Sequence, residues 1–473
     1  MPARKIPVPD VVVLLPGITG SVLAKDGKEI WAPQAGAVLR GVLSFGRSVR
    51  NLEVADDDWR AADLGDGVVA TRLMPDIHLL PGLWKIDGYG AIQHFLTDTF
   101  DLVPGRNFFP FPYDWRRDNR AAARDLDRLS KGWLETWRRE SGNAAAQLVL
   151  IGHSMGGLVS RYFVEALGGW ERTRAVVTFG TPFYGSLNAV DFLLNGYHKK
   201  LGPFGIDLSD MLRSCRSVHQ LVPSYRCVYD GGPDARKPAA AAIPGWKSPW
   251  NTALTEFQDQ MEAAARQNRD DPRFAANPVV YRPIVGTDQP TRQSVVVDGQ
   301  SARIDWDRGG SDEAGDGTVP LVSAALSGTE DQRTFAPEQH ARLQNYDPML
   351  AHLKGVLSAL YQVRIEDLRE AATTWFAFRA DDVYLPDEPV TVDLGLRSSA
   401  DETVVPDAEA VVTLTNRLTG AVLPQTTRRV GRSLSPLSLG VLAPGEYTID
   451  IAGHTNTAPL SDVLVVASPS DLE

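Results

Sequence analysis

The sequence predicts an α/β fold with a mostly parallel sheet, followed by a small all-β domain, and three observations carry that expectation. From Val11 to about Leu360, compact apolar strand candidates alternate with longer helical patterns, the order that builds a parallel sheet covered by helices. After Ala371 the pattern changes to short stretches rich in β-branched residues with turn signals and no helix-length pattern, which predicts a β-sandwich. A chain of 473 residues also exceeds the usual size of one hydrophobic core, so two domains are expected, residues 1–370 and 371–473.

The elements follow in order. Val11–Leu15 is an apolar run stopped by Pro16 and Gly17 and is read as the first core strand. Leu126, Leu129, Trp133, Leu134 and Trp137 share one helical face while Arg128, Lys131 and Arg138 can face solvent, so this helix is expected to pack on the sheet. The strand candidate Gln147–Ile151, the helical run Leu158–Leu167 and the strand candidate Ala175–Phe179 make a βαβ unit. The stretch from about Asp191 to Asp271 mixes helical fragments, aromatic residues and the low-complexity passage Pro238–Gly245. Pro348–Leu360 carries an apolar stripe and reads as the last helix of the α/β part. Beyond it, Val390–Leu394, Ala410–Leu414 and Val463–Val466 are strand candidates, and Leu442-Ala443-Pro444-Gly445 is a turn feeding another. No repeated unit is visible.

A hydrophobic content of 43% and a charged content of 23% are ordinary for a globular protein. The net charge of −11 argues against nucleic acid as a partner, because a polyanion is repelled unless a local basic patch overcomes the field. From Ala371 onward there are fourteen acidic residues against six arginines, so most of that charge lies in the all-β part. The N-terminus lacks a signal-like apolar region, and no run approaches the length of a membrane span. The expectation is a cytoplasmic location by default, with peripheral membrane contact or unconventional export left open. Cys215 and Cys227 read as two free thiols, a local disulfide being the alternative. No cluster has metal-ligand spacing, so neither a metal nor another cofactor is expected.

The chemistry centres on Gly152-His153-Ser154-Met155-Gly156, which follows one strand candidate and precedes a helical run. A serine hydroxyl needs a neighbouring base to become a nucleophile, and the acyl-transfer intermediate needs donors for its oxyanion. In strand-turn-helix context this motif is a nucleophile elbow, with Gly152 and Gly156 permitting the sharp turn and the Met155 amide at a helix N-terminus. The glycine-rich loop after the first strand, Pro16-Gly17-Ile18-Thr19-Gly20, is expected to bring the Ile18 amide beside that of Met155 as an oxyanion hole. The fold places acid and base later in the chain, in that order. Asp316, between Gly315 and Gly317, is the expected acid, with Asp305, Asp312 and Glu313 as nearby competitors. Of eight histidines, His340 lies just before the last helix and is the expected base. His352 falls inside that helix and His454 in the tail, whereas His153, His198 and His219 come too early in the chain.

With these motifs in place, the sequence resembles the lecithin:cholesterol acyltransferase and lysosomal phospholipase A2 family over about residues 10–360. The resemblance rests on Pro16-Gly17-x-x-Gly20-Ser21, Phe111-Pro112-Tyr113-Asp114-Trp115-Arg116, Gly152–Gly157, Gly180-Thr181-Pro182, Gly315–Val319 and a late histidine. It implies an α/β-hydrolase with cap and lid insertions; the stretch 191–271 is the expected lid, a plain surface excursion being the alternative, and the small all-β sandwich-like domain after Ala371 lies outside the resemblance. It also implies a triad of Ser154, Asp316 and His340 and ester chemistry on lipids, glycerophospholipids above all. Asp114 and Arg116 read as a structural ion pair and Trp115 as apolar surface, and the likeness suggests that they organise the active-site region. No cysteine precedes Cys215, so the family's early disulfide-bounded lid has no counterpart here.

The expected function is therefore a serine-dependent carboxylic ester hydrolase whose partner is a lipid or other acyl-ester substrate, with peripheral contact to a membrane or micelle allowed. A lipid O-acyltransferase uses the same acyl-enzyme and stays open. A non-catalytic binding protein on this scaffold is the alternative from another class. The partner of the β-domain is not specified by the sequence.

Overall fold

The computed structural model describes residues 5–32, 52–76, 88–201, 204–232, 234–361, 374–381, 383–398, 408–431, 433–453 and 457–467. Its central sheet has six parallel strands: β1 (Val11–Leu15), β2 (Phe108–Pro110), β3 (Leu148–His153), β4 (Thr173–Phe179), β5 (Val280–Gly286) and β6 (Thr334–Ala336), ordered β6-β5-β4-β3-β1-β2. Every residue of β1 and β3 is buried. Strands covered on both faces need side chains that tolerate full burial, which is why they read as unbroken apolar runs and not as an alternation. In register, Val12 lies beside Val149 and Phe108, so the central strands interlock as rows of branched and aromatic side chains.

Helices cover the sheet. One of them, α1 (Asn119–Ser141), starts where the Asp118 carboxylate accepts the Arg120 amide and ends at Gly142, which takes the left-handed conformation (φ 70°). Leu126 and Leu134 are buried on its inner face, and Arg128 and Lys131 pair with Asp125 and Asp127 outside. Trp133 stacks on Phe109 at 4.3 Å between ring centroids, and the Trp137 indole donates to the Pro9 carbonyl. Packing thus accounts for both tryptophans. Helix α2 (Met155–Ala166) follows β3 directly and packs on β3 and β4.

The stretch 191–271 divides in two. Its first part holds most of α3 (Leu187–Asn195) and the short α4 (Arg216–Gln220), and both line the cavity described below. Its last part is the long α5 (Ser248–Asp270), which packs on α2. There Tyr162 stacks on Phe257 and donates its hydroxyl to Gln260, while Arg161 pairs with Glu262. Cys215 and Cys227 are buried free thiols, as the sequence reading favoured. The last helix of this part, α6 (Asp347–Leu360), buries Met349, Leu350, Leu353 and Leu357.

In the C-terminal part the described elements are all strands. Its described residues form a four-stranded and a five-stranded sheet around one core containing Phe376, Val392, Val412, Ile449, Ile451 and Leu464. In the strand Gly445–Ala452, Tyr447, Ile449 and Ile451 point inward and their neighbours outward, the alternation of a sheet with one wet face. No helix among the described residues is long and apolar enough to cross a membrane.

Candidate active site

Five of the six parallel strands deliver a part of one site at their carboxyl ends, where open α/β sheets place their ligands. Ser154 follows β3 at φ 52° and ψ −123°, with its amide donating to the Phe179 carbonyl at the end of β4. This turn differs from the expected one in a physical detail. Neither Gly152 nor Gly156 has a positive φ; the serine itself takes the unusual conformation. The glycines are needed for close approach instead. A Cβ on Gly156 would lie 2.5 Å from the Leu15 carbonyl oxygen, and one on Gly152 would lie 2.7 Å from the Gly157 nitrogen.

Asp316 is buried in a loop after β5, from which a hairpin (Ser294–Asp298 and Ser301–Asp305) separates it. One carboxylate oxygen, Oδ1, accepts the amides of Thr318 (3.0 Å) and Val319 (2.7 Å). The other, Oδ2, lies 2.7 Å from His340 Nδ1, and His340 Nε2 lies 2.9 Å from Ser154 Oγ. A carboxylate only accepts, so Nδ1 carries the proton and Nε2 is left to accept from the serine hydroxyl. The expected acid, base and serine are thus in one hydrogen-bonded line. His340 opens a 3₁₀ turn, His340–Asn345, immediately before α6, and its amide donates to the Asp316 carbonyl at 2.8 Å. The competitors stand elsewhere. Asp312 bonds Gln293, Glu313 pairs with Arg308, and Asp305 pairs with Arg303. The His352 ring meets Thr334 instead, and His454 lies outside the described residues.

Met155 begins α2 and Ile18 lies in the loop after β1, on the cavity wall. Gly17, the other amide of that loop near the serine, already donates to the Tyr89 hydroxyl at 2.7 Å. The loop is held from below as well, by the Tyr113 hydroxyl donating to the Pro16 carbonyl at 2.7 Å. Asp114 and Arg116 form the expected two-pronged ion pair (2.9 and 2.6 Å), and Arg116 also meets Asp66. Trp115 is fully buried, edge-on to Trp31, and its indole donates to the Ser21 carbonyl. None of the three lines the cavity; Trp115 reaches Ser21, just past the loop that does, whereas Arg116 meets Asp114, Asp66 and the Leu52 carbonyl.

The cavity above Ser154 and His340 measures about 420 Å³. Ile18, Ala189, Phe192, Val218 and Leu221 make an apolar wall, and Gln289, Thr318 and Gln339 supply polar groups. An apolar pocket with a few converging polar groups is the usual form of a small-molecule site.

Three contributors were not singled out as site residues by sequence reasoning. Gly180, at φ 55°, lets the backbone pass where a Cβ would come 2.8 Å from Asp316 Oδ2 and 2.9 Å from His340 Nδ1. Its signal was the Gly180-Thr181-Pro182 string. His153, set aside on chain order, is buried with its two ring nitrogens 2.8 Å from the Tyr89 hydroxyl and 3.0 Å from the His340 carbonyl oxygen. Burial, and then the neighbouring His340, push its pKa down to about 3. Tyr89 had no signal, since its partners lie 72 and 64 residues away.

The parallel sheet, the strand-turn-helix at Ser154 and the inserted helices define an α/β-hydrolase. Within that class, residues 92–235 match the family described as lecithin:cholesterol acyltransferase. No curated protein matches the chain. Among solved structures it is similar to the Bacillus licheniformis lipase BlEst2 in its propeptide form, at 11% identity over 98% of this chain and 95% of that one (TM-score 0.30). Phospholipase PlaB from Legionella pneumophila is similar at 10% identity over 98% and 91% (TM-score 0.30). The peroxisomal α/β-hydrolase Lpx1 from Saccharomyces cerevisiae is similar at 12% identity over 77% and 79% (TM-score 0.28).

Proposed function

We propose that the chain is a serine-dependent carboxylic ester hydrolase acting on lipid acyl esters, glycerophospholipids first among them, through an acyl-enzyme. Asp316 holds His340 in the tautomer whose Nε2 accepts, and stabilises the imidazolium once it forms. His340 removes the Ser154 proton as Oγ attacks the ester carbonyl. The Ile18 and Met155 amides donate to the oxyanion, His340 returns the proton to the leaving alcohol, and water repeats the sequence to free the acid. The observation that carries this reading is the line Asp316 Oδ2, His340 Nδ1, His340 Nε2 and Ser154 Oγ at 2.7 and 2.9 Å beneath a largely apolar cavity. The parts of α3 and α4 on that cavity act as its lid.

The same acyl-enzyme resolved by an alcohol would make the protein a transacylase, and the match to a family described as an acyltransferase favours keeping that second reading. In both, residues 1–370 are the catalytic unit and 371–473 an accessory one. What supports this division is that the two apolar cores share no residue.

The test is incubation with a mixed lipid extract and mass analysis of all products, beside the Ser154→Ala protein. Free fatty acid with lysolipid is the expected outcome, and Ser154→Ala should lower their production by about 10⁴- to 10⁶-fold. Acylated alcohol in their place would select the transacylase. Product formation independent of Ser154 would overturn the scheme.

A further inference from the structure

Beside the Asp316, His340 and Ser154 line runs a second set of hydrogen bonds that the scheme above does not use. His153 Nε2 is 3.0 Å from the His340 carbonyl oxygen. A carbonyl only accepts, so this nitrogen carries the ring proton and Nδ1 is left as an acceptor. The Tyr89 hydroxyl, 2.8 Å from that Nδ1, must donate to it. Its oxygen in turn accepts the Gly17 amide at 2.7 Å. All the bonds therefore have one consistent polarity: Gly17 N–H to Tyr89 Oη, Tyr89 O–H to His153 Nδ1, His153 Nε2–H to His340 O. Burial pushes the His153 imidazole down to about 3 and the Tyr89 phenol well up, so both groups stay neutral around pH 7.

The ends of this chain set it apart from ordinary satisfaction of buried polar groups. One end is the residue next to Ile18, and the other is the backbone of His340. A Cβ on Gly17 would lie 2.8 Å from Ser154 Cβ, so the loop is seated directly against the serine. An oxyanion donor and a base that act on one substrate atom pair must keep their separation to a fraction of an ångström. They come here from segments more than 300 residues apart in sequence, and the Tyr89 and His153 pair is a hydrogen-bonded connection between them.

We propose that Tyr89 and His153 are positioning residues that tie the oxyanion loop at Gly17 and Ile18 to the base His340. The inference rests on the roles given above to Ser154, His340 and Ile18.

The test compares Tyr89→Phe, His153→Gln and His153→Leu with wild type and Ser154→Ala on a soluble short-chain p-nitrophenyl ester, at a temperature where circular dichroism shows each protein folded. Tyr89→Phe keeps the ring and removes both bonds, so kcat should fall by about 10- to 100-fold with KM within about two-fold. Gln at 153 retains a donor toward the His340 carbonyl, whereas Leu retains only bulk, so His153→Gln should keep a kcat about ten-fold above His153→Leu. A structural role alone would not separate those two folded variants. If Tyr89→Phe does not fold, the Gln and Leu pair decides. The proposal is overturned if folded Tyr89→Phe matches wild type while Ser154→Ala is inactive, or if Gln and Leu are equally slow. Activity retained in Ser154→Ala would instead overturn the reading of the site itself.

Discussion

The strands of the parallel sheet and those of the C-terminal sandwich are both rich in valine, leucine and isoleucine, yet they are used differently. In β1 and β3 every residue is buried, and the polar groups of the site begin at the strand ends, where the Gly17 and Ile18 loop and Ser154 follow. In Gly445–Ala452 every second residue faces outward, and the inward half joins a core shared by two sheets. The first arrangement spends its rigidity on holding a few atoms of a site in place. The second joins two sheets across one core. Changes in the first region should therefore be read mainly in rate, and changes in the second mainly in stability.

The sharpest test is Asp316→Asn. The asparagine carbonyl can replace Oδ1 in accepting the amides of Thr318 and Val319, so the loop should survive. Its NH₂ group would face His340 Nδ1, driving the ring to the tautomer with its proton on Nε2, which cannot accept from Ser154. Turnover should fall by about 10⁴-fold with the urea midpoint little moved. A kcat near that of wild type would remove Asp316 from the scheme.

Ile449→Ala probes the other side of the comparison. This fully buried residue of the sandwich core should cost about 2–5 kcal/mol on deletion to alanine, measured by urea unfolding of the C-terminal part. Esterase kcat should be unchanged. A parallel loss of kcat while the α/β part is still folded would show that the two regions do not work independently.

Acidification gives a smaller, graded separation. His153 and His219 are held below the ordinary value of 6.5 by burial, to about 3 and about 4. The unfolded chain thus binds more protons at these sites, and the α/β part should lose stability as pH falls from about 6.5 towards 4. The slope approaches about 1.4 kcal/mol per pH unit for each histidine. Glu446 in the sandwich has its carboxyl raised by burial, so acid acts there in the opposite sense. Thermal unfolding between pH 7 and pH 4 should show the slope reduced in His219→Gln; an identical slope in that variant would exclude His219 as a cause.

Much of this was legible because it is local or periodic. The strand, turn and helix around Ser154 are contiguous, and unbroken apolar runs declare strands buried on both faces. His340 could be found by chain order because the last helix was visible through its stripe of Met349, Leu350, Leu353 and Leu357. Other features depend on approaches that sequence distance hides. Gly180 must be glycine because of Asp316 and His340, more than 130 residues later. The link from Gly17 through Tyr89 to His153 joins three separate segments. The division of 191–271 was also hidden, since the amphipathic pattern of α5 says that it packs but not that Tyr162 and Phe257 will be its contact with α2.

The backbone of Ser154 carries one further implication. At φ 52° and ψ −123° a side-chain-bearing residue occupies a region costing about 1–3 kcal/mol, a conformation that glycine would adopt with less strain. At this position folding and chemistry therefore favour different amino acids. A library sorted for thermal endurance alone would drift toward glycine at 154 and discard the hydroxyl, so improvement of this scaffold must select for turnover at every round.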